Sequence, residues 1–352
     1  MSVKLLSNIL TNYLYRKLGI TCDIDQLSFT PDIVYPAQDF KYQRSYYLEN
    51  QFNKIKEMAF KGPLSGDIKK LTGEKIRLDP ISRFEIEDAF VTPKYIYSNQ
   101  YRKIFSASEP NRPIMPCSET KHGIVVSSYH GCNYFGHWLR DDCATYLLAK
   151  EYEGTFCRMA TPQWTDKIHY ARMFNQEWST TDPVYCSKLS FFIDHGQNPH
   201  KAKRFRKLRE HIRIGSTSSD KSKIVYIKRG PTAKHRKLVN EDILIEQLVK
   251  LGVYIHHAES DLNKLTMDCL DAKIVISVEG SQLSHGLYLL KDQGGVLVIQ
   301  PPDRFFNSHL DWAQQLDMKY AFVVGDLADG GFSINIEEFV RTLELLDNAV
   351  TA

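Results

Sequence analysis

The sequence predicts an α/β fold, and three observations carry the prediction. Between Ile224 and Pro302, short β-rich runs alternate with helix-periodic segments, the pattern of a parallel sheet joined by crossover helices. The polar and glycine residues of that stretch gather where strands hand over to helices, at Arg229-Gly230 and at Glu279-Gly280-Ser281. Ligands of such sheets bind beyond the carboxyl ends of the strands. The chain also has 352 residues, 43% of them hydrophobic and 25% charged, which suits two folded cores.

In chain order, residues 1–80 are a Tyr-rich preface with little periodicity, expected to pack on an N-terminal domain. Their start, MSVKLLSNILTNYLYRKLG, lacks the unbroken apolar stretch and small-residue cleavage site of a signal peptide. It reads as an amphipathic helix, with packing on the protein favoured over membrane contact. Residues 81–120 carry prolines and strand-like pieces at Tyr95–Tyr97 and Lys103–Phe105. Ile124–Tyr129 is a predicted strand, leading through His130-Gly131-Cys132-Asn133 into a helix from about Phe135 to Tyr152. Leu189–Ile193 is another strand, followed by a loop over Asp194–His200.

The small polar segment Gly215–Ser222 is the expected linker. It divides the chain into an extension (1–80), an N-terminal domain (81–215), a C-terminal domain (216–335) and a last helix (336–352). Ile224–Lys228 opens the second domain as a strand, and Glu241–Leu251 is a helix stopped by Gly252. Val253–His257 is the next strand, and Asp261–Asp271 the next helix, with Ser260 as its cap. Ile274–Val278 enters Glu279-Gly280-Ser281-Gln282, which opens a short helix before the strand Val296–Gln300. The amphipathic helix Ile336–Asp347 closes the chain and is expected to pack back across the domain junction.

Composition removes several function classes. No apolar run approaches the roughly 20 residues that span a bilayer. Seven scattered cysteines (22, 117, 132, 143, 157, 186 and 269), never spaced CxxC, argue against a zinc ribbon or a disulfide scaffold and for a reducing cytoplasm. The net charge of +3 hides a basic block: residues 201–237 hold 14 Lys/Arg and two acids. Such a block attracts a pyrophosphate or an anionic membrane surface, or is simply a solvated linker and helix. It lacks the interleaved aromatics of single-strand binders, so nucleic acid is not an expected partner. No GxGxxG, no GxxxxGK[ST] and no Asp-x-Asp follows a strand.

Two stretches carry chemistry. In His130–Asp142, His137 and Asp141 share a helical face four residues apart, so the carboxylate can orient the imidazole and either can act as a general base. The plainer reading makes Asp141 and Asp142 first-turn acids on the helix dipole. In the second domain Arg229 and Arg236 suit phosphate oxygens, and Gly280 and Ser281 present free backbone N–H groups at a helix start.

Together these motifs resemble glycosyltransferase family 61. The likeness lies in Asn133-Tyr134-Phe135-Gly136-His137-Trp138-Leu139-Arg140-Asp141-Asp142, in Val225–Arg229 with Arg236–Glu241, and in Glu279-Gly280-Ser281-Gln282-Leu283-Ser284-His285-Gly286. It spans about residues 120–325, with none over 1–80. Two departures stand out: Gly136 is an extra residue before His137, and Glu279-Gly280-Ser281-Gln282 replaces the family's His-Gly-Ala-Gly turn.

The resemblance implies a GT-B-like architecture, two Rossmann-like domains facing across a cleft. It implies an inverting, metal-independent transfer from a nucleoside-diphosphate sugar, usually a UDP-sugar, to a hydroxyl of a glycan or lipid-linked glycan, with no other cofactor. Asp141 is the expected base and His137 its partner, roles open to exchange, with Asp142 beside them. Arg229, Arg236, Glu279, Gly280, Ser281, Gln282 and His285 are the expected nucleotide-sugar contacts, and Asn133, Tyr134 and Trp138 lie on the acceptor side. With neither signal nor anchor, the chain resembles the bacterial cytoplasmic members that build capsule, lipopolysaccharide or other surface polysaccharide, with peripheral membrane contact through 201–237. Two rivals are an NAD(P)-dependent or other sugar-nucleotide-modifying enzyme and a non-catalytic scaffold of a polysaccharide-assembly complex.

Overall fold

The Val- and Ile-rich runs of the C-terminal half are buried along their whole length, Ile274–Val278 and Gly295–Gln300 without an exposed position. Strands buried on both faces belong to a parallel sheet covered by helices on each side. The computed structural model describes residues 3–19, 31–60, 63–98, 102–107, 118–214, 221–230, 236–257 and 261–351. It divides into unit 1, residues 1–38 with 79–196, and unit 2, residues 39–78 with 197–352. Both units are mixed α/β.

Unit 2 holds a five-stranded parallel sheet in the order Tyr254–His256, Ile224–Ile227, Ile274–Val278, Gly295–Gln300, Lys319–Val324. By sequence that is 2-1-3-4-5, so the winding reverses between Ile224–Ile227 and Ile274–Val278, the place where such sheets bind ligands. The helices Glu241–Lys250 and Ile336–Thr351 cover one face, with Leu244, Leu248, Phe339, Leu343 and Leu346 in its core. The last helix therefore lies on its own sheet. Gly252 ends Glu241–Lys250 with φ 74°, as a C′ glycine does. Asp261, not Ser260, caps the helix Leu262–Cys269 by accepting from Lys264 N–H (2.8 Å); Ser260 lies outside the described residues.

Residues 39–78 join unit 2 along its edge strand. Tyr46 exchanges backbone bonds with Tyr320 and Phe322, and Gln51 Oε1 accepts from Val324 N–H, so the edge is covered. The division into units falls before the helix Pro199–Arg213, and residues 215–220 of the expected linker lie outside the described residues. That helix turns much of the basic block inward: Lys201, Arg204 and Arg209 are buried. Arg209 and Arg213 donate to the carbonyls of Leu287, Leu289 and Leu290, satisfying the C-terminus of the helix Ser281–Leu289.

Unit 1 holds a seven-stranded sheet in the order Arg102–Ile104, Tyr95–Tyr97, Ile81–Val91, Val184–Ile193, Ser118–Val125, Thr155–Cys157, with Asp32–Tyr35 also pairing Ile81–Val91. Only the Val184–Ile193, Ser118–Val125 and Thr155–Cys157 strands run parallel; the other pairings are antiparallel. This sheet departs from the Rossmann pattern expected for both domains. Part of the reason is local: Thr92-Pro93-Lys94 is too short to join parallel strands, and Thr92 Oγ1 accepts from Tyr95 N–H to close the turn. Among the described residues no helix is long and apolar enough to cross a membrane.

Candidate functional site

In unit 1 the strand Ser118–Val125 ends sooner than predicted, and the chain turns at Ser128 into a short helix, Tyr129–Asn133. Ser128 Oγ caps that helix by accepting from Gly131 N–H (2.9 Å). Asp142 holds the turn from below: its carboxylate accepts from Ser128 N–H (3.1 Å) and Ser128 O–H (2.7 Å). Glycine at 131 lets the turn close here, because a Cβ would run into the Asp142 carboxylate and displace it. Asp142, 1% exposed, thus shapes the turn.

The predicted helix from Phe135 does form, but its second turn, Trp138–Asp142, is a π-turn in which Cys143 N–H donates to Trp138 O. One i→i+5 turn holds one residue more than an α-turn does. Such bulges recur at functional sites. Here the turn brings three side chains together. Arg140 Nε donates to both oxygens of Asp141 (3.0 and 3.1 Å), and Arg140 Nη2 donates to Oδ2 (2.7 Å). His137 Nδ1 stands 3.0 Å from Asp141 Oδ2 and 3.0 Å from Arg140 Nη2. With its proton on Nδ1 the ring donates to the carboxylate and carries its lone pair on Nε2; with Nδ1 bare, that nitrogen accepts from Arg140 Nη2 and Nε2 carries the proton. Asp141 is 4% exposed, whereas the His137 side chain keeps 22%.

Two histidines that the sequence reading did not select join this group. The His130 ring centroid lies 5.2 Å from His137 and 6.0 Å from His195. Burial first, then the charges of His137 and His195, hold His130 below the usual histidine range. His195 follows the strand Val184–Ile193, so the rule that polar residues beyond strand ends face ligands would have found it.

The three acceptor-side residues separate. Tyr134 is 54% exposed and available to a ligand. Asn133 is a clamp: Nδ2 donates to Phe105 O (2.9 Å) and Tyr129 O (2.6 Å), and Oδ1 accepts from Ala107 N–H (2.9 Å). Trp138 is fully buried against Phe135, Trp164 and Trp178, so it supports the helix and cannot stack on an acceptor.

In unit 2 the switch point carries a cluster of arginines. Arg229 follows the first strand, Glu279 the third and Arg304 the fourth. Arg229 Nη1 and Arg236 Nη1 both donate to Glu279 O (2.8 Å each), and Arg236 also pairs with Glu279 Oε2. Burial pushes the Glu279 carboxyl up, against the pull of Arg236, Arg304 and Arg229. Burial and the neighbouring Arg236 push Arg229 down to about 10, although Glu279 works the other way. Three guanidinium groups around one carboxylate leave an excess of positive charge. The Nε–H groups of Arg229 and Arg304 are buried without an acceptor among the described residues, the condition under which an oxyanion is welcome. Sequence reasoning missed Arg304, which stands behind Pro301-Pro302.

Gly280 opens the helix Ser281–Leu289 with φ 154°, a conformation for glycine alone, and a Cβ would also meet Gln282 Oε1 at 2.6 Å. No side chain caps this helix, and Ser281 is exposed at its mouth. Two expected contacts are spent elsewhere. Gln282 Nε2 donates back to Val278 O (2.7 Å), and His285 lies in the interior, where burial pushes it down to about 3 and keeps it neutral. Among the described residues no three His, Cys, Asp or Glu side chains are grouped to hold a metal ion.

Residues 135–297, a little under half of the chain, match the family model described as Glycosyltransferase 61. The matched stretch begins at the π-turn helix and takes in Arg229, Arg236 and the Glu279–Gln282 turn. No curated protein matches the chain.

Proposed function

The chain belongs to glycosyltransferase family 61 through residues 135–297 and is a glycosyltransferase; from that premise we propose that it moves a sugar from a nucleoside-diphosphate donor, UDP-linked as is usual in the family, to a hydroxyl of a glycan acceptor, with inversion and without a metal. One observation carries this reading: Arg229, Arg236 and Arg304 converge at the topological switch point, beside the uncapped helix start at Gly280-Ser281. Fixed positive groups of this kind stabilise charge as it grows on a leaving diphosphate, the task a metal ion performs elsewhere. The GT-B architecture is part of the proposal. Unit 2 supports it with an open parallel sheet, and unit 1 would be a modified partner domain.

Inversion requires a base that takes the acceptor proton as the diphosphate departs. Both Asp141 oxygens already accept from Arg140, and the carboxylate is buried. His137 Nε2 is therefore the better proton acceptor, with Asp141 positioning the ring through Nδ1. This exchanges the two roles expected from sequence.

The test is a thermal-shift screen against UDP, GDP, CMP, TDP and NAD⁺, each with and without EDTA. A nucleoside diphosphate at a hundredfold excess over its Kd stabilises by about 2.7 kcal/mol. The expected result is an EDTA-insensitive shift with one diphosphate that shrinks in Arg236→Leu. A shift with NAD⁺ alone, or with none of the five, would overturn the reading.

A further inference from the structure

Unit 1 contains an open cavity of about 560 Å³ next to His130 and His195. Its walls combine aromatic side chains, among them Tyr95, Phe105, Tyr129 and Phe191, with two cations, Arg102 and Lys103. No Asp or Glu stands among the residues described as lining it. We propose that this cavity is the acceptor subsite and that the acceptor sugar it takes bears an anionic group, a carboxylate or a phosphate; the proposal rests on the transferase reading above.

Continuity with the catalytic group comes first. Ser127, Ser128, Phe192 and His195 line both this cavity and a narrow crevice whose other walls include Asp141, Asp142 and Asp194. A sugar in the cavity can thus direct one hydroxyl toward Asp141, and the cavity's His130 stands 5.2 Å, ring to ring, from His137. The two ends differ in character: the crevice carboxylates are already engaged, Asp141 by Arg140, Asp142 by Ser128 and Asp194 by Thr145, whereas the outer cavity offers two cations. A negatively charged substituent is drawn to the outer end, which orients the sugar with its hydroxyl inward.

The cationic wall is also built to hold its shape. The Arg102 guanidinium lies 4.8 Å from the centre of the Tyr95 ring, and Lys103 Nζ lies 5.9 Å from that of Phe105. Asn133 ties Phe105 and Tyr129 to each other through their carbonyls, so two of the aromatic walls move as one. A neutral sugar would use the rings alone. Charge-assisted bonds from a guanidinium fit the paired oxygens of a carboxylate or a phosphate equally well.

Ligand-observed NMR titrations of the full chain with glucose, glucuronate and glucose 6-phosphate separate the possibilities, run at low and at physiological salt. At least one anion should bind roughly tenfold or more tightly than glucose, with an affinity that falls as salt is added. That advantage should disappear in Lys103→Met and in Arg102→Gln and persist in Arg236→Leu. UDP binding should follow the reverse pattern, weakened at least tenfold in Arg236→Leu and kept in Lys103→Met. Thermal melts establish that each variant is folded, and Arg102→Lys, which keeps the charge, should retain most of the preference. Equal binding of glucose and both anions, no binding of either anion, or an anion affinity that follows Arg236 overturns the proposal. Loss of UDP binding in the unmodified protein would instead remove the donor reading while leaving the Lys103 result intact. The better-bound anion tells carboxylate from phosphate.

Discussion

Asp141 in unit 1 and Glu279 in unit 2 are both buried acids under arginine, 4% and 3% exposed, yet their surroundings fit them for opposite tasks. Asp141 meets one guanidinium and one imidazole, so its charge is matched and the imidazole is held in place. Glu279 feels three guanidinium groups and pairs directly with Arg236 alone, so it cannot neutralise them all. The ratio of charges, more than the residue types, separates a proton-transfer group from an anion receptor. Each can be tested by changing that ratio at one residue.

The largest effect should come from His137→Gln. It removes the proton acceptor, and loss of a general base costs about 10²–10⁴ in rate. UDP-induced stabilisation should be unchanged, because His137 belongs to unit 1 and the arginine cluster to unit 2. Asp141→Asn should also slow transfer, by disturbing the Nδ1–H tautomer. Measured single-turnover rates that survive His137→Gln but vanish in Asp141→Asn would return the base role to Asp141.

Next in size is Arg236→Leu. A hydrogen bond to a charged group contributes about 1.5–3 kcal/mol. UDP affinity should therefore fall by roughly ten- to a hundredfold, read by calorimetry, with Arg304→Leu in the same range. If Arg304→Leu leaves UDP affinity untouched, the receptor consists of Arg229 and Arg236 and the comparison with Asp141 narrows to two cations against one.

Much of unit 2 was legible because strand periodicity and strand-end polarity are local signals. The same residues that mark the ends of Ile224–Ile227 and Ile274–Val278 also form the cluster. Arg304 and His195 obey the same rule but reach their sites through sheet neighbours far away in sequence, so spacing alone did not single them out. Which side of a helix faces inward was less legible. Gln282, His285 and Trp138 carry suitable chemistry, yet the backbone turns all three toward protein. The π-turn over Trp138–Asp142 left no local signal in the sequence, because it is set by one backbone bond rather than by composition. Unit 1 as a whole resisted reading because antiparallel and parallel strands share one sheet, and pairing partners are not written in local composition.

A smaller effect separates shape from chemistry in unit 1. Gly131→Ala places a methyl group against the Asp142 carboxylate that holds Ser128. Either the carboxylate moves and leaves Ser128 N–H unpaired, or the short helix shifts. Both cost about 1–3 kcal/mol, the usual penalty for a buried polar group left unsatisfied. Chemical denaturation should show that loss with the slope unchanged, while UDP binding stays as it was. A variant as stable as the parent would mean that Asp142 does not hold the turn and would reopen it as a member of the catalytic group.

The smallest expected effect concerns His285 and divides a buried histidine from one that serves a ligand. Its folded value, pushed down to about 3 mainly by burial and further by His256, lies below the ordinary 6.5. The unfolded chain therefore binds the proton first as pH falls. The neutral ring's contribution is fully present above about pH 6.5 and is lost progressively below it, by at most about 1.4 kcal/mol per pH unit. Stability measured from pH 7 down to 5 should decline more steeply in the parent than in His285→Gln, whatever the substitution does to stability at pH 7. A nucleoside diphosphate should leave that difference in slope unchanged, because His285 lies on the buried side of the helix, away from its exposed start at Ser281. If UDP flattened the slope, the ring would be part of the receptor, and unit 2 would share with unit 1 the use of a histidine at its centre.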